Sequence, residues 1–164
     1  MLPVLAVLAA LDVVAGPPPA AGPGAPALTV QTLAGDDFDL TKLRGHVVVV
    51  HFWATWCPPC LKEMPEIEAF YGRYHGRGVE VIAMSQDRSR DVEEVKRMVR
   101  RLGITYPVAM AHKAPRNGFG EQHALPVTFV VDAEGGVRAE MRPDARPVTA
   151  ESLAKAVEPL LAPP

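Results

Sequence analysis

The sequence predicts an α/β fold with a mixed central sheet and an added N-terminal β-hairpin. Three observations carry that expectation. Val47 to Trp53 is a strand-length run that is apolar except for His51, as a strand covered on both faces requires. Directly after it, Cys57-Pro58-Pro59-Cys60 opens a segment with helical periodicity. Beyond that, short strand and helix patterns alternate to the C-terminus. A chain of 164 residues with 48% apolar content suits one domain whose core needs no disulfide staples. Its 17 basic and 19 acidic residues give a net charge of -2, and no arm or face gathers the basic ones, so nucleic acid is not an expected partner.

The elements follow in order. Met1 to Ala15 is apolar apart from Asp12, and residues 16–27 form a Pro/Ala/Gly linker. The first stretch falls short of the roughly 20 apolar residues of a membrane span but has the length of a signal-peptide core. No Lys or Arg precedes Lys42, so either a basic start lies upstream of Met1 or the stretch is a tail. The expected domain covers residues 28–162. Leu28 to Leu33 and Phe38 to Leu40 flank a Gly35-Asp36 turn and form the hairpin. Pro58 to Tyr74 is the first helix, with Leu61, Met64, Ile67, Phe70, Tyr71 and Tyr74 as its apolar stripe and a kink expected at Pro65.

Val79 to Met84 is a second buried strand. Asp91 with Glu94 is expected to cap the helix that ends near Leu102-Gly103, and the charge run Asp87 to Arg101 reads as that helix's solvated face. Tyr106 to Ala111 forms a short strand, and His112 to Ala124 a loop with a brief helical turn. Val127 to Val131 and Val137 to Met141 pair as a hairpin across Asp132 to Gly136, and a last helix spans Thr149 to Leu161.

The chain has two cysteines, and they stand three positions apart at the predicted start of a helix. There the upstream thiol, Cys57, lies at the positive end of the macrodipole, where a thiolate is stabilised. It can attack a disulfide, and Cys60, one turn on, can resolve the resulting mixed disulfide. No further cysteine remains to re-reduce the pair, so electrons must come from a separate thiol reductant. A structural zinc site would need a second pair of ligands at matching spacing, and His75, His112 and His123 do not supply one. No metal or cofactor is expected.

The run Phe52-Trp53-Ala54-Thr55-Trp56-Cys57-Pro58-Pro59-Cys60, followed by Glu63 and Pro65, resembles the TlpA/ResA/DsbE-like branch of the thioredoxin superfamily. The resemblance extends over about Leu28 to Leu161, through the hairpin, the Lys42 to His46 approach and Leu125-Pro126-Val127-Thr128-Phe129. It implies a thioredoxin-like three-layer fold and an extracytoplasmic thiol-disulfide oxidoreductase that reduces partner-protein disulfides, in a role of the cytochrome c maturation or oxidase assembly type. Implied partners are a disulfide-bearing protein substrate and a separate reductant, a membrane electron-transfer protein being one candidate; the chain is expected to act as a monomer.

By the same resemblance Pro126 is a cis-proline facing the disulfide, and Trp56, Pro58, Pro59, Leu125 and Val127 form the substrate groove. Glu63 is implied to manage protons for the Cys60 thiol, against the alternative of an exposed acid favoured by the helix dipole. Two features depart from the branch. Ala124 and Val127 stand where relatives commonly carry Gly and Thr, and His51 stands where relatives often carry Asn and cytoplasmic thioredoxins a buried acid.

His51 shares a strand face with Val47, Val49 and Trp53 by alternation. It is either a core histidine satisfied by hydrogen bonds or a neutral base for the Cys60 proton. In the second case burial should lower its pKa below the usual 6.5. Two other functions remain to be separated from the oxidoreductase reading. A peroxidase of the peroxiredoxin group wants a Thr-x-x-Cys frame, of which Thr55-Trp56-Cys57 is one residue short, and peroxide consumption would reveal it. A metallochaperone would reveal itself by copper or zinc titration of the reduced protein.

Overall fold

The computed structural model describes residues 26–145 and 147–161. The proposed targeting segment and most of the linker lie outside the described residues. Two sheets form. The larger has five strands in the order β5-β4-β3-β7-β8: β3 (Val47–Trp53), β4 (Val79–Ser85), β5 (Val108–Met110), β7 (Val127–Val131) and β8 (Val137–Met141). β3 pairs in parallel with β4 and antiparallel with β7, so the sheet is mixed as expected. Every residue of β3 is buried, which explains its unbroken apolar pattern.

The smaller sheet is the N-terminal hairpin β1 (Leu28–Gln31) and β2 (Asp37–Asp39), extended by a two-residue strand, β6 (Arg116–Asn117). β6 lies in the segment read as loop, where two residues are too few to set a period. The Thr32 to Ala109 bridge and the bond from Leu33 N–H to Val108 C=O (2.7 Å) tie the hairpin to β5. Gly35 takes φ 97° in the hairpin turn, a backbone region that glycine enters without steric cost.

Alternation along β3 divides the core. Val48, Val50 and Phe52 join Leu28, Val30 and Phe38 of the hairpin in one buried cluster. Val47, Val49 and Trp53 join residues of the helices α1 (Pro58–Tyr74), α2 (Val92–Arg101) and α3 (Ala150–Val157) in the other. The result is three layers: helices, central sheet and small sheet. On α1 the stripe buries Met64, Ile67, Phe70 and Tyr74, each apolar side chain contributing about 1.5–3 kcal/mol. α1 runs through Pro65 as one helix, although the proline's missing N–H removes one rung.

Three local expectations need correction. Asp91 occupies the N-cap position of α2 but its side chain caps nothing; it faces Arg90, while Glu94 pairs with Arg97, because a 3₁₀ turn at Ser89–Asp91 leads into the helix. Asp87 is not on a solvated helix face: it precedes α2 and is only 3% exposed. The last helix ends at Val157 and continues as a 3₁₀ turn through Glu158–Leu160, since Pro159 lacks the N–H of another α-helical bond.

Candidate active site

Cys57 is the N-cap of α1, and its extended backbone (φ -108°, ψ 96°) turns the chain from β3 into the helix. Its N–H donates to Ala54 C=O (3.2 Å) and its C=O accepts from Leu61 N–H (3.2 Å). Pro58 and Pro59 fill the first helical positions, where an N–H has no helical partner to lose. The Cys60 N–H donates to Cys57 Sγ at 3.3 Å, and the two cysteines form a disulfide with their Cα atoms 5.3 Å apart.

The pair is asymmetric in access. Cys57 is 4% exposed and Cys60 is fully buried. Beside them Trp56 is 68% exposed, the one large apolar side chain left in solvent among the described residues, and Pro58 and Pro59 are exposed as well. The Leu125–Pro126 peptide is cis. Phe52 pairs with Val127 across antiparallel β3 and β7, which brings Leu125 and Pro126 alongside the end of β3 from which the cysteine corner departs. Leu125 is half-buried, whereas Val127 is fully buried and offers a partner no side-chain surface.

Behind Cys60 lie two titratable groups with opposite tendencies. Glu63 is buried rather than exposed: Oε1 accepts from Val148 N–H (3.0 Å), and Oε2 has no partner. Burial pushes its carboxyl above the usual range, offset in part by the Val148 bond. His51 is completely buried, and its face of β3 belongs to the cluster that holds Cys57, Cys60 and Met64. Its Nδ1 bonds Thr128 Oγ1 (2.9 Å) across the β3–β7 pairing, and Nε2 has no partner. Desolvation lowers its pKa to about 3, so the ring is neutral under ordinary conditions.

Ser85 and Gln86, to which the sequence pattern gives no part, and Asp87, which it assigns to solvent, complete the corner. Asp87, just beyond β4, accepts from Thr55 N–H (3.0 Å), Thr55 Oγ1 (2.5 Å) and Ser85 Oγ (2.7 Å). Gln86 donates its N–H to Trp53 C=O, and its side-chain amide exchanges two 2.7 Å bonds with the backbone of Gln122. The loop approaching Pro126 is thereby tied to the ends of β3 and β4. A Ser-Gln-Asp sequence straight after a buried parallel strand was the available signal, since in open α/β sheets sites gather at strand C-termini.

The AhpC/TSA family matches residues 21–140. The thiol-disulfide oxidoreductase ResA of Bacillus thuringiensis subsp. konkukian is 33% identical over 138 residues, covering 84% of this chain and 79% of that one. The chain belongs to the AhpC/TSA family, in its ResA-like branch. ResA of Bacillus anthracis is 38% identical over 116 residues, and this ResA-like chain aligns with 66% of that relative's length. A thiol:disulfide interchange protein of the thioredoxin family from Chlorobium tepidum TLS has the same fold at TM-score 0.72 and 28% identity, covering 87% of this chain and 99% of that one. The thioredoxin-like architecture expected from the motif is thus present in full.

Proposed function

We propose that this ResA-like protein is a protein-disulfide reductase acting outside the cytoplasm, with Cys57 as nucleophile and Cys60 as resolving thiol. The observation that carries the reading is a disulfide at the start of α1 with Cys57 at its accessible edge and Cys60 buried behind it. In the reduced protein, Cys57 thiolate attacks a partner disulfide, and the departing partner sulfur leaves as a thiolate that takes a proton. Cys60 then loses its proton and attacks Cys57 Sγ, releasing the second partner thiol and closing the ring. Two electrons pass to the partner. An external thiol reductant restores the pair, because the chain carries no other cysteine. A cytochrome c maturation or oxidase assembly role rests on the likeness to the branch. Trapping Cys60→Ser in its native compartment and identifying the attached protein tests it.

Thr55 speaks against a peroxidase: it bonds Asp87, and a carboxylate at that corner disfavours the anion that peroxide cleavage produces. The direction of transfer follows from the helix start. The Cys57 sulfur receives one backbone N–H, from Cys60, while Pro58 and Pro59 supply none. A weakly stabilised thiolate makes the reduced form a good electron donor, so a redox titration against glutathione should give a potential more negative than roughly -200 mV. A value near that of strong oxidants, about -120 mV, would overturn the reductase assignment.

Glu63 is the proton carrier of this scheme. Its unpartnered Oε2 and its upward-shifted carboxyl, raised by burial, suit a group that exchanges a proton with Cys60. Glu63→Gln keeps the acceptor for Val148 and removes the proton, so release of a Cys57 mixed disulfide should slow about tenfold or more while the melting temperature holds. Equal release rates would make Glu63 an anchor for the segment before α3 and nothing more.

A further inference from the structure

We propose that Asp87 is a positioning residue for Cys57 that also holds the nucleophile's pKa up, by placing an uncompensated buried negative charge under the cysteine corner. The geometry has two parts. Asp87 grips Thr55 through both its backbone N–H and its hydroxyl, two residues before Cys57, while Ser85 Oγ fixes the carboxylate from below. In every one of these bonds the carboxylate accepts. No Lys or Arg pairs with it among the described residues, although Asp132, the other carboxylate as deeply buried among the aspartates, has Arg138.

The reach from Thr55 Cα to Cys57 Cα is at most about 7 Å of extended chain, and with the 3.0 Å Asp87–Thr55 bond and the side-chain offsets at either end the Asp87 charge lies within about 14 Å of the Cys57 sulfur. At that distance and an effective dielectric near 20, a like charge opposes thiolate formation by about one pKa unit. The other charged or titratable groups around this corner are Glu121 and His112, which line a cavity of about 190 Å³ with Asp87, Arg88 next along its loop, and His51 and Glu63 behind Cys60. Glu121, His112 and Arg88 are exposed and screened by water; Asp87 is not.

The proposal rests on Cys57 being the nucleophile, and its test separates the two claims. In a Cys60→Ser background, the rate of reaction with dipyridyl disulfide is followed from about pH 5 to pH 11 for wild type, Asp87→Asn and Asp87→Glu. With its oxygen in the place of Oδ2, asparagine still accepts from Thr55 N–H and Ser85 Oγ, and the Thr55 hydroxyl can turn to accept from its amide NH2. Lowering the pKa by one unit raises the thiolate fraction about tenfold at neutral pH but lowers its nucleophilicity, for a net gain of about threefold. Above both pKa values the Asn variant should instead be about threefold slower.

The two profiles must therefore cross, whereas a merely loosened corner would shift the rate in one direction at all pH values. Asp87→Glu retains the charge and should follow wild type. An uncrossed profile for folded Asp87→Asn, or a crossing in the Glu variant as well, would overturn the proposal. Asp87→Ser repeats the measurement should the Asn variant not fold. Failure of Cys57 to react in any variant would instead remove the functional reading itself.

Discussion

Cys57→Ser should reduce dithiothreitol-driven reduction of insulin to the uncatalysed rate. The exchange mechanism requires a thiolate at the helix start, serine cannot form one at accessible pH, and Cys60 is fully buried and unable to meet a protein disulfide in its place. Cys60→Ser should behave differently: its Cys57 still attacks, but the mixed disulfide persists because nothing else in the chain can resolve it. Non-reducing electrophoresis distinguishes the two, with an adduct in the second variant and none in the first. Since serine is close to cysteine in size, melting temperatures of both variants should match reduced wild type. Turnover by Cys57→Ser at the wild-type rate would end the assignment of the nucleophile.

What was legible in the chain was local. β3 shows as an apolar run because every one of its residues is buried, and α1 shows as a stripe because one face of it packs on that strand. The cysteine corner needs only neighbours in sequence. What escaped depends on contacts between distant residues. Glu63 reads equally well as a solvated acid until Val148, 85 positions away, is brought against it. Asp87 follows a strand and precedes a charged helix, so its own sequence neighbours assign it to solvent; only the return of β3 to β4 places Thr55 over it. β6 is too short to carry a period, and its pairing with β1 is decided by the path of the loop rather than by its two residues.

His51 should make the fold acid-sensitive, and His51→Asn should remove that sensitivity. Folded, the ring resists protonation until about pH 3; unfolded, it titrates near 6.5. Between those values the unfolded chain binds the extra proton, so stability present above pH 6.5 is lost as pH falls, by on the order of 3 kcal/mol at pH 4. Other carboxylates titrate alike in both proteins, so the difference in denaturant-derived unfolding free energy between pH 7 and pH 4 isolates the histidine. Thr128 occupies Nδ1, and alternation along β3 puts the ring in the cluster that contains Cys60, with Nε2 open. A base with a pKa of about 3 does not hold the proton of a thiol whose ordinary value is near 8.5, so transfer from Cys60 to the ring is uphill and slower than resolution through the thiolate already present at neutral pH. Resolution by wild type and by His51→Asn should therefore rise together with pH, and only the acid sensitivity of the fold should separate the two proteins. A resolution rate that is flat with pH in wild type and pH-dependent in His51→Asn would instead give the ring a part in proton transfer, because burial alone accounts for the acid sensitivity and not for that difference.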